Sequence, residues 1–163
     1  MKRTIMVLDD DQQIRQSLLK LLQTEGYEVV LAADGQQALD RFDAMRIDLL
    51  LLDLNLPGKS GWDIFERVTS CNPLLPIIVI TGRDKQYEMA NAAGVGALME
   101  KPLDVPLLLK TIAELLAESA ETRLKRLAGV EHSMRYFSRV PPSSSPPRFR
   151  ANRRQVKTKE TTD

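Results

Sequence analysis

Short apolar runs alternate with amphipathic stretches along the first 122 residues of this chain. The run from Ile47 to Leu52 is almost wholly apolar, which is typical of a central strand covered on both faces. The stretches between the runs carry apolar residues at helical spacing, as in the segment Gln12–Thr24. Regular alternation of strands and helices implies a parallel sheet with helices on both of its faces.

These patterns predict an α/β fold of the flavodoxin-like, doubly wound type. We expect a five-stranded parallel sheet in the order 2-1-3-4-5 with five helices, since right-handed crossovers leave few topologies for five β/α units. The predicted strands are Thr4–Leu8, Tyr27–Leu31, Ile47–Leu52, Ile77–Ile80 and Ala97–Glu100. The predicted helices are Gln12–Thr24, Gly35–Met45, a segment from the cap Ser60 to Ser70, Asp84–Ala93 and Asp104–Ala128.

The net charge of +1 conceals an asymmetry between two parts of the chain. Residues 1–122 carry 12 Lys and Arg against 19 Asp and Glu, whereas residues 123–163 carry 11 against 3. We therefore predict a domain over residues 1–122 and a basic extension over residues 123–163. The extension contains the end of the last helix and then the Pro/Ser-rich stretch 141–147, and we expect everything beyond about residue 130 to be disordered or weakly structured.

The composition also bears on the compartment. No apolar run approaches the roughly 20 residues of a membrane span, and the first residues lack the apolar core of a secretory signal. The single cysteine, Cys71, excludes an internal disulfide framework and fits a reducing environment. We expect a cytoplasmic protein that does not act at a membrane.

Five polar residues follow, or end, the apolar strands of the predicted sheet. In an open α/β sheet the carboxyl ends of the strands face one crevice, so residues far apart in sequence meet there. Three carboxylates, a hydroxyl and an ammonium in one pocket can bind a divalent metal and a phosphoryl group. The five residues are Asp9, Asp10, Asp53, Thr81 and Lys101.

The chemistry of each residue fits such a pocket. Adjacent carboxylates such as Asp9 and Asp10 repel each other, and Mg²⁺, which prefers oxygen ligands, relieves that repulsion. The Asp53 carboxylate can attack phosphorus to form an acyl phosphate, with metal and lysine charge offsetting the charge that develops. Asp11 is expected only to cap the helix that follows. The bond before Pro102 is one that can be cis.

The first 122 residues resemble the receiver domain of bacterial two-component response regulators. This resemblance implies that Asp53 is the phosphoacceptor and that Asp9 and Asp10 bind Mg²⁺, with the backbone carbonyl of Asn55 as a further ligand. It also implies that Thr81 is the switch hydroxyl and that Lys101 contacts the phosphoryl group. The motifs that carry the resemblance are Val7-Leu8-Asp9-Asp10-Asp11, Asp53-Leu54-Asn55-Leu56-Pro57 with Gly61 beyond it, Ile80-Thr81-Gly82 and Lys101-Pro102.

The same resemblance implies a signalling protein that catalyses only its own phosphorylation and dephosphorylation. Its phosphodonor would be a sensor histidine kinase or a histidine phosphotransfer protein, and its output would be contact with a downstream protein target. The usual signalling face would be formed by the helix from Asp84, the strand at Leu98 and the last helix. Leu124 and Leu127 on that last helix offer a surface for a homodimer.

Two positions depart from the family pattern. The family usually has Tyr or Phe three residues before the lysine, coupled to the threonine, whereas this chain has Leu98. We hypothesise that activation moves the loop after Thr81 without an aromatic rotor. Arg83 occupies a variable position that overlooks the phosphoryl group and, with Asn55, tunes its hydrolysis, so we predict that it affects the lifetime of the phosphoaspartate.

Other functional classes fit the sequence less well. An enzyme acting on an external substrate, such as a phosphoaspartate hydrolase, would leave the Asp53 motif unexplained, and the only histidine, His132, lies in the tail. The 41 residues after residue 122 are too few for the further domain of a DNA-binding regulator and show no helix-turn-helix pattern. The basic stretch 148–154 is an alternative segment for direct binding of nucleic acid.

Overall fold

The apolar runs form the strands of one parallel sheet in a computed structural model that describes residues 1–58, 60–83, 85–130 and 134–139. The strand order is β2-β1-β3-β4-β5-β6, and each neighbouring pair is parallel. The predicted order 2-1-3-4-5 is therefore confirmed and extended by one strand. The strands are β1 Thr4–Leu8, β2 Glu28–Ala32, β3 Leu49–Asp53, β4 Ile77–Thr81, β5 Ala97–Glu100 and β6 Arg135–Phe137.

The helices cover both faces of the sheet, because alternate residues of each central strand point to opposite sides. On one face Leu50 and Leu52 pack in a cluster with α3 residues such as Ile64, and on the other Leu49 and Leu51 pack with residues of α1 and α5. None of the helices in the described ranges is long and apolar enough to cross a membrane. The helices are α1 Gln12–Thr24, α2 Gly35–Ala44, α3 Gly61–Cys71, α4 Tyr87–Ala92, α5 Val105–Ala117 and α6 Ala120–Leu127.

Side-chain caps set the starts of the helices that follow β1, β2 and β3. Asp11 and Asp34 accept hydrogen bonds from backbone N–H groups in the first turns of α1 and α2. Ser60 and Asp63 form a reciprocal capping box at the start of α3. These caps fix the points at which the chain leaves the carboxyl edge of the sheet and turns into a helix.

The predicted single helix over Asp104–Ala128 is wrong, because the structure contains two helices there, α5 and α6. Glu118 leaves the helical conformation with φ −66° and ψ 138°, and the side chain of Ser119 accepts a hydrogen bond from the backbone N–H of Thr122. The apolar periodicity runs through this break, so periodicity alone favoured one helix. A serine that caps a new helix explains the interruption.

The sheet also has one strand more than predicted. β6 lies beyond residue 130 and pairs with β5 through Ala97–Arg135, Leu98–Tyr136 and Met99–Phe137. The prediction of disorder or weak structure there is wrong for Arg135–Phe137, because pairing with β5 satisfies their backbone. A three-residue strand in a polar segment has too little apolar pattern to be recognised. His132, the Pro/Ser-rich stretch 141–147, the basic stretch 148–154 and Asp84, the predicted start of α4, lie outside the described residues.

Candidate phosphoryl and metal site

The carboxyl ends of β1, β3, β4 and β5 meet at one edge of the sheet. The register pairs Leu8 with Leu52, and Asp53 with Ile80, so Asp9, Asp53 and Thr81 follow one another across neighbouring strand ends. The backbone N–H of Lys101 donates to the carbonyl of Thr81 at 2.8 Å, which carries the pairing of β4 and β5 one residue further. The Lys101–Pro102 peptide bond is cis, a conformation that the sequence allowed.

Lys101 joins two of the predicted acidic residues. Its Nζ donates to Oδ2 of Asp53 at 2.8 Å and to Oδ2 of Asp9 at 3.2 Å. Asp9 and Asp53 are 3% and 2% exposed, so both carboxylates depend on partners within the protein. The lysine therefore bridges two acids that are 44 residues apart in sequence.

Asp9, Asp10 and Asp53 place one carboxylate oxygen each within 4.8 Å of one another. Backbone N–H groups hold two of these acids from behind: that of Asp11 donates to Asp9 Oδ1 at 2.9 Å, and that of Asn55 donates to Asp53 Oδ1 at 2.8 Å. The side-chain oxygen of Asn55 is buried without a hydrogen-bond partner in the described structure. Three clustered carboxylates and a spare amide oxygen form a donor set that suits a hard divalent cation.

The charges in this cluster shift the protonation of its members. Burial raises the pKa of Asp9 and the nearby Asp53 charge adds to the effect, while the bond from Asp11 and the charge of Lys101 oppose it. Burial alone would lower the pKa of Lys101, but its bonds and attraction to Asp53 and Asp9 together raise it. The ammonium therefore stays charged while Asp9 resists ionisation, and a metal ion would relieve that resistance.

A close approach of α3 positions the loop that follows Asp53. Gly61 begins α3, and a Cβ atom there would lie 2.6 Å from Cα of Leu54 and 2.9 Å from the carbonyl oxygen of Asp53. A side chain at this position would push the helix away from the strand end. The close packing of α3 on the strand end therefore requires glycine at this position.

Thr81 lies beside the acidic cluster and bonds within its own loop. Its side chain is fully buried, and Oγ1 accepts a hydrogen bond from the backbone N–H of Arg83 at 2.9 Å. The side chain of Arg83 is exposed on the same loop. The Thr81 hydroxyl thus lies at the edge of the sheet where the sequence predicted it. Its oxygen already accepts a hydrogen bond from the backbone that leads into α4.

The side chain of Leu98 is buried in the apolar core and is not exposed to solvent. It is 1% exposed and belongs to the same cluster as Val79 and Ala90. Its neighbour on β6 is Tyr136, whose ring packs on Tyr87 with 5.1 Å between the ring centres. Sequence reasoning missed Tyr136, because the only signal was a short Tyr-Phe pair inside a polar segment.

A groove runs alongside the cluster between α1 and the start of α5. It has a volume of about 670 Å³, and Lys101 lies at its border. The walls are mainly apolar and come from residues within α1 and after β5. The other lining residues are Gln13, Ile14, Ser17, Leu18, Pro102 and Leu103.

Comparison with known proteins agrees with this geometry. Residues 5–113 match the response regulator receiver domain family. Over 114 residues the chain is 38% identical to response regulator MprA of Mycobacterium avium, an alignment that covers 69% of this chain and 50% of that protein. The chain therefore spans about half the length of the curated relatives it matches.

Solved structures show the same fold. A CheY-like receiver domain protein from Methanospirillum hungatei is 31% identical, with a TM-score of 0.70 over 75% of this chain and 98% of that chain. TrrA from Thermotoga maritima, solved in complex with Mg²⁺-BeF, is 28% identical, with a TM-score of 0.64 over 69% of this chain and 98% of that chain. The family match ends before α6 and β6, so both elements lie beyond it.

Proposed function

We propose that this chain, which belongs to the family of response regulator receiver domains, accepts a phosphoryl group on Asp53 and signals through contacts with other proteins. The observation that carries the proposal is the bridge from Lys101 to both Asp9 and Asp53 inside a cluster of three carboxylates. A half-buried lysine that neutralises two acids, beside a metal-type donor set, is suited to receiving a charged phosphoryl group.

In the proposed reaction a carboxylate oxygen of Asp53 attacks the phosphorus of a phosphohistidine. The new O–P bond forms as the N–P bond breaks, and the electron pair of that bond returns to the imidazole of the donor. Lys101 is already 2.8 Å from Oδ2 of Asp53 and neutralises charge on the transferring group. The loop that begins at Thr81 would then supply the threonine hydroxyl to a phosphoryl oxygen.

We assign the metal site to Asp9, Asp10 and Asp53, with the backbone carbonyl of Asn55 as the remaining ligand from the protein. Mg²⁺ held there would neutralise the charge of the phosphoryl oxygens during transfer. The clustered carboxylates support this assignment, and the unpaired side-chain oxygen of Asn55 marks a further oxygen donor beside them. That TrrA was solved with Mg²⁺-BeF is consistent with the same use of the pocket here.

The proposed partners follow from this chemistry. A sensor histidine kinase or a histidine phosphotransfer protein would supply the phosphoryl group, in the cytoplasm, and a downstream protein would receive the signal. The apolar groove beside Lys101 supports an approach of the donor across α1 and the start of α5. We keep residues 1–122 as the receiver domain and residues 123–163 as an extension, with α6 and β6 in the latter.

The test is phosphorylation by acetyl phosphate with Mg²⁺, followed by intact mass spectrometry. Wild type should gain the mass of one phosphoryl group, and Asp53→Asn should gain none. Asp40→Asn is the matched control, because Asp40 is an exposed acid of α2 outside the cluster, and it should be labelled like wild type. A phosphoryl adduct that persists in Asp53→Asn would refute the assignment.

A further inference from the structure

Residues 134–139, which we call the strap, close the edge of the sheet next to β5. Their strand β6 lies outside the receiver family match, which ends at residue 113. The backbone N–H of Arg135 donates to the carbonyl of Gly96 at 3.2 Å, and three residue pairs join the two strands. Without the strap, the backbone of β5 would be the open edge of the sheet.

One carboxylate holds the far end of the strap. Glu100, the last residue of β5, accepts hydrogen bonds from Oη of Tyr136 at 2.6 Å, from Oγ of Ser138 at 3.4 Å and from the backbone N–H of Arg139 at 3.0 Å. The bond from Tyr136 and those from Arg139 and Ser138 lower the pKa of Glu100. At this end the strap is therefore docked through a charged acceptor, which receives hydrogen bonds from three of its residues.

The near end of the strap is tied to α5 and to the core. Nε of Arg135 donates to Glu114 at 3.0 Å. Met134 and Phe137 pack against the two opposite apolar clusters of the sheet. The ring of Tyr136 covers Tyr87, the first residue of α4. The strap thus contacts α4, β5 and α5 at once, although it has only six residues.

Two residues that contact the strap, Glu100 and Tyr87, are a few residues from the phosphoryl site. Glu100 pairs with Thr81 in the register of β4 and β5, and it directly precedes Lys101. On the other side, Thr81 holds the backbone N–H of Arg83, and the loop continues to Tyr87. Short stretches of backbone therefore connect the site to the Glu100 carboxylate and to the Tyr87 ring.

We propose that the strap is a phosphorylation-sensitive clasp, docked on β5 while Lys101 bridges Asp9 and Asp53 and released when Asp53 carries a phosphoryl group. This inference rests on the proposed function. When the Thr81 hydroxyl turns to the phosphoryl group, it gives up the Arg83 N–H, and the loop that carries Tyr87 shifts. Tyr136 then loses its ring contact, and release uncovers the edge of β5.

The energetics suit a reversible clasp. In the described structure a three-residue ladder and hydrogen bonds to the carboxylates of Glu100 and Glu114 hold the strap, and Tyr136 remains 41% exposed. Segments with few buried contacts open locally at a small fraction of the global stability. Coupling between two sites typically changes an equilibrium by about 5- to 150-fold, which is enough to switch such a segment. The coupling is reciprocal, so loosening the strap must favour the phosphorylated form.

The first test is hydrogen exchange by mass spectrometry on the full chain, with and without acetyl phosphate and Mg²⁺. The strap amides should exchange about tenfold faster in the phosphorylated protein, within the usual range for coupled sites. Intact mass is measured on the same sample. An adduct on Asp53 with unchanged strap exchange would overturn the clasp alone, whereas absence of the adduct would overturn the proposed function and the clasp with it.

The second test reverses the direction with Tyr136→Phe, which removes the bond to Glu100 and keeps the ring on Tyr87. This variant should show fast strap exchange before phosphorylation and should bind beryllofluoride with Mg²⁺ several-fold more tightly than wild type. Glu100→Gln should behave in the same way. The control Glu88→Gln, at an exposed acid of α4, should match wild type. Loosened straps with unchanged beryllofluoride affinity would contradict the coupling.

Discussion

At the scale of single residues, the burial of an ionised carboxylate destabilises the fold, although the proposed chemistry requires that carboxylate. The carboxylate of Asp9 is buried beside that of Asp53, and burial raises the pKa of Asp9. A group with a raised pKa in the folded state contributes stability at low pH that is lost as the pH rises through that pKa. At neutral pH the charged form of Asp9 therefore destabilises the metal-free fold, while it prepares the pocket for a cation.

The substitution Asp9→Asn should expose this conflict. Without metal, the free energy of unfolding should rise by about 1 kcal/mol, because a neutral amide no longer leaves a buried charge next to Asp53. Urea unfolding in EDTA at pH 7.5 measures the change. The control Asp40→Asn, on the exposed face of α2, should stay within about 0.5 kcal/mol of wild type. A clear loss of stability in Asp9→Asn would mean that its bond with Lys101 outweighs the burial.

Arg83 allows a second prediction at the level of one side chain. It is exposed on the loop whose backbone bonds Thr81, and we predict that its guanidinium contacts a phosphoryl group on Asp53 and excludes attacking water. Arg83→Ala should shorten the lifetime of the phosphoaspartate by about threefold, less than 1 kcal/mol in barrier height. Decay of the adduct in time-resolved mass spectra tests this. An unchanged decay rate, equal to that of the exposed-arginine control Arg41→Ala, would remove Arg83 from the mechanism.

At the scale of elements, Glu118 at the break after α5 ties α6 to the end of that helix. The two nitrogens Nη1 and Nη2 of Arg126 donate to its carboxylate at 2.7 and 2.8 Å, and Arg126 is 6% exposed. Nη2 of Arg123 donates to the carbonyl of Leu115, so α6 also satisfies the end of α5. A buried bidentate pair of this kind ties one element to another, and removing one partner is costly.

The variant Glu118→Gln should therefore lower the free energy of unfolding by about 2 kcal/mol, because it leaves the Arg126 charge buried without its partner. The matched control is Glu121→Gln, since Glu121 pairs with Lys125 on the solvent side of the same helix and is highly exposed. An exposed pair of this kind contributes less than about 0.5 kcal/mol. Urea unfolding compares the two. Equal, small effects would show that apolar contacts and not the ion pair hold α6.

At the scale of the whole molecule, the parts that followed from sequence are those with a strong periodic pattern. The apolar runs that end at Asp53 and Thr81 predicted both the sheet and the meeting of Asp9, Asp53 and Lys101 at its edge. β6 was not predictable, because its pairing depends on Glu100 and α5, which are distant in sequence. The break at Glu118 was hidden for a different reason, because the leucine stripe continues across it and nothing in the pattern marks the pairing with Arg126.

Because the same sheet edge brings these charges together, we predict that the stability of the whole protein depends on metal and pH. Mg²⁺ bound only by the folded state, at about 100 times its dissociation constant, should stabilise it by about 2.7 kcal/mol, which raises Tm by roughly 5–10 °C. Protons compete for Asp9, whose pKa is raised, so the increment should shrink as the pH falls. Differential scanning fluorimetry with Mg²⁺ or EDTA, from pH 8 to pH 5, measures this difference.

Asp9→Asn separates the two causes of that pH dependence. Without the Asp9 carboxylate, the Mg²⁺ increment should fall to a few degrees or less at pH 8, and most of its dependence on pH should disappear with it. The exposed-acid control Asp40→Asn should keep both the increment and the slope of wild type. If Asp9→Asn retained the full increment, the cation would be held by other ligands, and the assignment of the cluster at the ends of β1 and β3 would have to be abandoned.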